Sequence, residues 1–555
     1  MKFKALICTL NSKYIHSSLA PWCLYTACKR DLGDEFEVKV TEGTINEKEE
    51  EIYKRILSEK PDFIGFSCYI WNIGKVLSLA QKLKNDGIII ALGGPEVSYR
   101  QRDILEKYSF VDYVISGEGE TSFPCLVKAI GDGNKLQIQG VSYRNGGEIV
   151  VSDGGAVDFE NTASPYCKEY FEALGGRIAY IESSRGCPFS CAFCLSGRCG
   201  KVRFLPMDRV KSEMLLLSDM GAKTIKFVDR TFNCNPKRAY DILCFIRGEY
   251  GKKIKDDVCF HFEIAADILT EEIFDVISDL PVGAVQFEVG IQSFNEDTLL
   301  KIGRKTNVDL VESNVKRLLS FGNCHVHIDL IAGLPLEGYD GFVAGFNRAY
   351  NIRANMLQLG FLKILYGSPM SEDKESFPCL YGSAPPYEVI STPWISEDEL
   401  QKLHICENEL ERLYNSGRFP RTLEYVTRYM APYELFYGFG EYLISKGEKG
   451  SIPLDKYVCL AYEYFLGIRG VDKTRLRDLM IIDRISTNNS DVIPACLKVK
   501  DDRLRKIRRA VGKHCSVAIL YSENVAVYCD YDEKKNPVTG QWEIKKCEII
   551  SDPTQ

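Results

Sequence analysis

Along the first 130 residues, short apolar runs alternate with longer stretches of helical periodicity. The runs are Phe3 to Leu10, Asp62 to Tyr69, Gly87 to Leu92 and Tyr113 to Ser116; the helical stretches are Leu19 to Lys29 and Val76 to Lys84. Parallel strands need a crossover long enough to hold a helix, so this rhythm predicts a doubly wound parallel sheet over residues 1–135. Glycines follow the runs, in Gly93-Gly94-Pro95 and Gly117-Glu118-Gly119-Glu120, which places them at the carboxyl ends of strands, where open α/β sheets bind ligands. Residues 136–176 are rich in Gly, Asp and Asn. They read as a linker with a hairpin around Gly140 to Val151, or as an added hairpin in one continuous domain.

The strand and helix rhythm restarts at residue 177 and continues to about 370. Strands are expected at Ile178 to Glu182, Thr224 to Val228, Phe260 to Ile264, Ala284 to Val289, His325 to Ile331 and Leu357 to Leu365. Six are too few for the closed eight-stranded barrel and fit a partial (β/α)6 barrel. Residues 371–555 change character, opening a helix with the capping box Ser396-Glu397-Asp398-Glu399. This third region reads as mainly helical, and an aromatic stretch from Tyr425 to Tyr442 is expected to pack helices, with a lid as its functional alternative. A basic helix, Asp501 to Lys513, then precedes a small antiparallel meander at Ser516 to Tyr521, Asn524 to Tyr531 and Gln541 to Ile550. The fold class is therefore α/β, with a helical third domain.

Composition narrows the function. The net charge of −7 spreads over residues 1–155, 156–380 and 381–555 as −2, −4 and −1, so no domain carries the basic footprint of a nucleic-acid binder. The basic helix is the local exception and reads as a solvated face, with RNA contact as its alternative. No apolar run reaches the roughly 18 residues of a membrane span, and the start lacks a cleavage site, so the protein is expected in the cytoplasm. Its 21 cysteines are expected to be reduced there, most of them as single buried thiols such as Cys8, Cys68, Cys244 and Cys459.

One cluster stands apart. Cys187, Cys191 and Cys194 are spaced C-x3-C-x2-C in a loop directly after the first barrel strand. Three thiolates this close suit a four-iron cluster that leaves one iron open to a chelating amino-acid-like cofactor. A zinc knob or a closed electron-transfer cluster, each recruiting Cys199, is the alternative.

This arrangement, with Phe193 before the last cysteine, resembles the radical S-adenosylmethionine (SAM) superfamily over about residues 177–370. The resemblance implies a [4Fe-4S] cluster on Cys187, Cys191 and Cys194, and SAM as cosubstrate. By likeness to the branch of anaerobic coproporphyrinogen oxidase and elongator-type enzymes, Glu263 is implied as acceptor for the SAM ammonium. Gln292 and Asp329 are implied as ribose partners and Arg304 as the carboxylate partner, with Glu288 and Asp229 as further SAM-site residues. The first domain resembles the cobalamin-binding domain of the cobalamin-dependent branch, through Gly65-Phe66-Ser67-Cys68, Leu92-Gly93-Gly94-Pro95 and Ser116-Gly117-Glu118-Gly119-Glu120. Ser67, Gly93, Gly94, Gly117, Glu118 and Gly119 are the implied cobalamin contacts, joined by Tyr14 and His16. The cobalt-ligating D-x-H-x-x-G motif is missing, with Lys13, Ile15 and Ser18 nearest its places. A dinucleotide site is disfavoured because no G-x-G-x-x-G follows the first strand.

The function so implied is methyl transfer to an unactivated carbon through a 5'-deoxyadenosyl radical and methylcobalamin. The substrate is a small molecule or peptide, and the reductant is of the flavodoxin or ferredoxin kind. Rival readings are a radical rearrangement, cyclisation or oxidation with the same cofactors, an RNA-modifying enzyme without corrin, and a cobalamin carrier or sensor with an inert barrel.

Overall fold

The structure, a computed structural model, describes residues 2–134, 137–448, 450–490 and 492–547, without the side chain of Cys199. The chain forms two compact units, one of Met1–Leu280, Leu300–Lys305 and Leu362–Thr392, the other of Pro281–Leu299, Thr306–Phe361 and Pro393–Gln555.

The first unit opens with strands β1 (Phe3–Asn11), β2 (Phe36–Thr44), β3 (Phe63–Ser67), β4 (Ile89–Gly93), β5 (Tyr113–Ile115), β6 (Val141–Asn145) and β7 (Glu148–Val150). They form one sheet in the order β2-β1-β3-β4-β5-β6-β7, in which the first five strands are parallel. Every residue of β3 is buried, as expected of a central parallel strand covered on both faces. Leu6, Cys8 and Leu10 pack with Ile52, Ile56 and Val76 from helices Glu49–Ser58 and Ile73–Asn85. Phe63 turns the other way, onto Phe123 of helix Gly119–Gly131. Each fully buried ring or aliphatic side chain of this kind contributes roughly 1.5–3 kcal/mol. The hairpin expected within the linker is part of this sheet instead: β6 pairs antiparallel with β5, and β7 with β6.

The same unit continues with β8 (Ala179–Ile181), the two-residue pair β9 (Ser184–Arg185) and β10 (Arg203–Phe204), then β11 (Thr224–Phe227) and β12 (Cys259–Ile264). β11 lies parallel between β8 and β12. In the second unit β13 (Val285–Gln292), β14 (His325–Ala332) and β15 (Met356–Phe361) run parallel with β14 central. The six β/α repeats expected after residue 177 are thus present, three strands in each unit. A short antiparallel pair, β16 (Leu380–Tyr381) with β17 (Val389–Ser391), ends the first unit.

From Pro393 the second unit is mainly helical, and the capping box forms at Ser396 and Glu399. Most of the aromatic stretch packs between helices, with Tyr425, Tyr433, Phe436 and Phe439 buried, whereas Tyr429 is 45% exposed. The antiparallel sheet consists of β18 (Cys515–Leu520), β19 (Val525–Asp530) and β20 (Lys545–Cys547), with the last expected residues, 548–550, outside the described chain. Helix Arg503–Val511 seats Ile507 on this sheet and leaves Arg505, Arg508 and Arg509 exposed. Two cysteine expectations need correction. Cys459 is not a lone thiol but forms a disulfide with Cys496, which helix Leu454–Leu466 brings into reach, and Cys244 is only partly buried. Among the described residues, no helix is long and apolar enough to cross a membrane.

Candidate functional site

The cysteine loop leaves the fold at β9 and returns at β10, so its base is an antiparallel pair that sets Arg185 opposite Arg203. Within it the Ala192 N–H donates to the Ile302 carbonyl at 2.8 Å, and the Met370 N–H donates to the Ala192 carbonyl at 3.1 Å. Gly197 is required sterically, since a Cβ there would stand 2.5 Å from the Phe189 carbonyl oxygen. Cys187, Cys191 and Cys194 are all free thiols, and each sulfur has a neighbour able to hydrogen-bond. The Ser196 N–H donates to Cys194 Sγ at 3.4 Å, Arg304 Nη1 donates to Cys191 Sγ at 3.8 Å, and the Thr231 hydroxyl lies 3.5 Å from Cys187 Sγ. Burial pushes the Cys191 thiol up, and the Arg304 guanidinium works against that shift. A thiol-rich loop tied down by backbone bonds, with donors at the Cys191 and Cys194 sulfurs and a hydroxyl beside the third, fits an iron-sulfur cluster. The fourth ligand required by the zinc and closed-cluster alternatives, Cys199, has its side chain outside the described residues.

The first unit also places Asp229 and Glu263, but not as free SAM partners. Asp229 is 1% exposed and accepts from the Ser183 N–H at 2.8 Å and from the Ser183 and Ser184 hydroxyls at 2.6 Å each. Burial raises its carboxyl, and the serines partly offset that. Its side chain therefore anchors the turn into β9. The Glu263 carboxylate stands 4.0 Å from Lys226 and 3.9 Å from Arg230, a loose arrangement at the end of β12.

The second unit holds the other three SAM candidates. Glu288 of β13 is in register with His327 of β14, and Asp329 follows two residues later on the same face. One ligand atom from each of Glu288, His327 and Asp329 lies within 4.8 Å of the others, and His327 Nε2 is 2.9 Å from Asp329 Oδ1. Gln292 ends β13 beside a register shift and takes a positive φ of 72°. Its Oε1 is buried and accepts no hydrogen bond among the described residues, an orphaned acceptor that suits a ligand hydroxyl.

At the carboxyl edge of the first sheet, several expected cobalamin contacts have other partners. The Glu118 carboxylate pairs with Arg203 and Arg185 and accepts from the Val157 N–H at 2.8 Å. Burial works against its charge, yet these partners hold the carboxyl below its ordinary value. Gly117 (φ 74°) and Gly94 (φ 104°) admit the protein's own backbone, because a Cβ would meet Gly154 at 2.9 Å and the Cys68 carbonyl oxygen at 2.6 Å, respectively. A Cβ on Gly119 would press Leu24 at 2.9 Å, whereas one on Gly93 would make only ordinary contact with Ile115 at 3.6 Å. Ser67 is buried at the end of β3. His16 shares a hydrogen bond through Nδ1 with the Tyr180 hydroxyl at 2.7 Å, and its backbone pairs with Ile178. It fastens this loop to the start of β8 through Nδ1 and the backbone.

Tyr14 is 73% exposed at this edge. Two residues that no sequence motif marks, Tyr69 and Trp71, stand after β3 and stack at 4.5 Å with rings 4° from coplanar. Trp71 is 45% exposed, and its Nε1–H donates to the Leu10 carbonyl at 3.1 Å. Exposed aromatic faces at a sheet's carboxyl edge suit a flat apolar-faced ligand such as a corrin. The available signal was the aromatic pair directly after the β3 run.

These features define a class: a chain in which a B12-binding domain precedes a radical SAM domain. Residues 6–127 match the B12 binding domain family, 181–344 match the radical SAM superfamily, and 375–544 match a family described as a protein of unknown function, DUF4080. Such domains use cobalamin, and a [4Fe-4S] cluster with SAM. Among particular relatives, the chain is 29% identical over 312 residues to the cobalamin-dependent radical SAM methyltransferase TokK of Streptomyces tokunonensis. That match covers 52% of this chain and only 44% of TokK. Its fold is similar to OxsB, a cobalamin-dependent SAM radical enzyme, with TM-score 0.61, 16% identity, and coverage of 86% of this chain and 78% of that one. It is also similar to the radical SAM methyltransferase TsrM of Kitasatospora setae, with TM-score 0.57, 18% identity, and coverage of 70% and 82%.

Proposed function

We propose that this chain is a cobalamin-dependent radical SAM enzyme that transfers a methyl group to an unactivated carbon. The observation that carries the reading is the presence in one chain of a B12-binding domain and a radical SAM domain with an anchored triad of free thiols. The name of its relative TokK, a methyltransferase of this class, supports the transfer. When bound, the cluster and SAM supply chemistry that removes a hydrogen atom from an unactivated carbon, and cobalamin supplies a methyl carrier.

The protein's part is to hold and orient. Cys187, Cys191 and Cys194 would hold the cluster, and the buried Asp229 keeps the turn ahead of them closed. Gln292 offers its unpaired Oε1 to a ribose hydroxyl, and Asp329, steadied by His327, offers a carboxylate. Glu263, beside Lys226 and Arg230, would accept from the SAM ammonium, Arg304 would pair with the SAM carboxylate, and Glu288 would add to the polar face of β13. Tyr14 and Trp71 would cover the corrin and exclude water from it. The reductant is a one-electron carrier of the flavodoxin or ferredoxin kind, and the compartment is the cytoplasm.

The test is product analysis with anaerobically reconstituted protein. SAM plus reductant should yield 5'-deoxyadenosine, and Cys191→Ala should abolish it. S-adenosylhomocysteine should accumulate during turnover. Undiminished deoxyadenosine from Cys191→Ala overturns the triad, whereas turnover without S-adenosylhomocysteine overturns methyl transfer alone.

A further inference from the structure

The cysteine loop depends on a base that is electrostatically unfavourable by itself. Arg185 and Arg203 stand directly opposite each other in the β9–β10 pair, only 14% and 24% exposed, and like charges so placed repel. Both guanidinium groups lie over the Phe159 ring, at 4.5 and 5.8 Å, so they share one apolar platform. The carboxylate that joins them comes from the turn after β5. Glu118 Oε2 accepts from Arg203 Nη1 at 3.0 Å and lies 3.4 Å from Arg185 Nη1, while its Oε1 accepts from Arg203 Nη2. Glu182 and Glu120 take further donors of Arg185. The Arg203 Nη1–H and the Val157 carbonyl, at 2.9 Å, complete the clamp.

We propose that Glu118 is a positioning residue for the cluster-binding loop: by pairing with both Arg185 and Arg203 it closes the loop's base, so the first domain's β5 turn keeps the three cysteines in ligating order. This rests on the triad being the cluster's ligand set. Glu118, a residue of the cobalamin-binding domain, therefore acts on the iron site rather than on the corrin. Removing one member of a buried charge set weakens the compensation of the rest: Arg185 keeps Glu182 and Glu120, but the one carboxylate shared by the two opposed guanidinium groups is gone.

The experiment compares the full-length protein with Glu118→Gln, Glu118→Asp, Arg203→Met, the Glu118→Gln/Arg203→Met pair, and Cys191→Ala. Iron and sulfide per chain, cluster lifetime under chelator challenge and the electron paramagnetic resonance signal of the reduced cluster are read, with thermal melting as the fold control. Glu118→Gln should stay folded with a lowered melting temperature, lose its cluster several times faster and show a changed signal. Glu118→Asp should restore part of the lifetime. Arg203→Met should relieve part of the Glu118→Gln loss, because one of the two opposed charges is gone. An unchanged lifetime and signal in Glu118→Gln overturns the proposal, as do additive losses in the double variant. Cys191→Ala retaining a full cluster overturns the ligand assignment instead, whatever Glu118 does.

Discussion

Glu337 offers the sharpest test of how burial sets chemistry in the second unit. It is 3% exposed, its Oε1 accepts from the Ser293 hydroxyl at 2.6 Å, and its Oε2 is buried with no hydrogen-bond partner among the described residues. Burial pushes the carboxyl up from 4.5 to about 7, and the serine offsets this only in part. The folded chain therefore keeps a proton that the unfolded chain releases. The stability this contributes is fully present below about pH 4.5 and is lost as pH rises through about 7, a total of about 3 kcal/mol. Between about pH 5.5 and pH 8 the loss is about 2 kcal/mol. Glu337→Gln mimics the protonated acid at every pH: its carbonyl still accepts from Ser293, and it has no proton to lose. Urea unfolding followed by tryptophan fluorescence should show the difference between variant and unaltered protein moving by about 2 kcal/mol in the variant's favour from the lower to the higher pH. A difference that stays constant across that range would refute the reasoning, since it would mean Glu337 is ionised in the fold at both.

Three further outcomes follow from single contacts. Asp229→Ala strands one N–H and two hydroxyls, and should lower stability by about 3 kcal/mol or more while reducing iron retained per chain, measured by denaturation and iron assay. His16→Ala removes the bond to Tyr180 at a cost of about 1 kcal/mol but should leave the corrin absorption bands of cobalamin-loaded protein unmoved; a band shift would make His16 a cobalt ligand. Arg304→Met removes the positive donor at Cys191 Sγ, so the cluster's midpoint potential without SAM should become more negative in a redox titration. A potential that holds steady while SAM binding weakens would assign Arg304 to the SAM carboxylate alone.

The elements are legible in the sequence to different degrees, for reasons that differ by element. The strands β1, β3 and β4 read clearly because a parallel strand covered on both faces is apolar over most of its length, as in Ala5 to Cys8, Phe63 to Phe66 and Ile89 to Leu92. β2 escaped notice: as the sheet's edge strand it carries Glu37, Lys39, Thr41 and Glu42 among its apolar residues, and the helix Glu49–Ser58 behind it buries only Ile52 and Ile56. The C-x3-C-x2-C loop was visible because ligand spacing is a local property of the chain.

The roles of single polar residues were not local. Glu118 and His16 lie in segments that resemble a cofactor edge, yet their partners, Arg203, Arg185 and Tyr180, lie dozens to well over a hundred residues away. Asp229 looked like a ligand residue and became an anchor because the fold set two serines from the end of β8 against it. Sequence alone determined the order of domains, the apolar strands and the three sulfur donors, since each is written in neighbouring residues. Only the tertiary structure decided which carboxylates remain available to a ligand, because a charge is committed by whatever folding brings within about 4 Å of it.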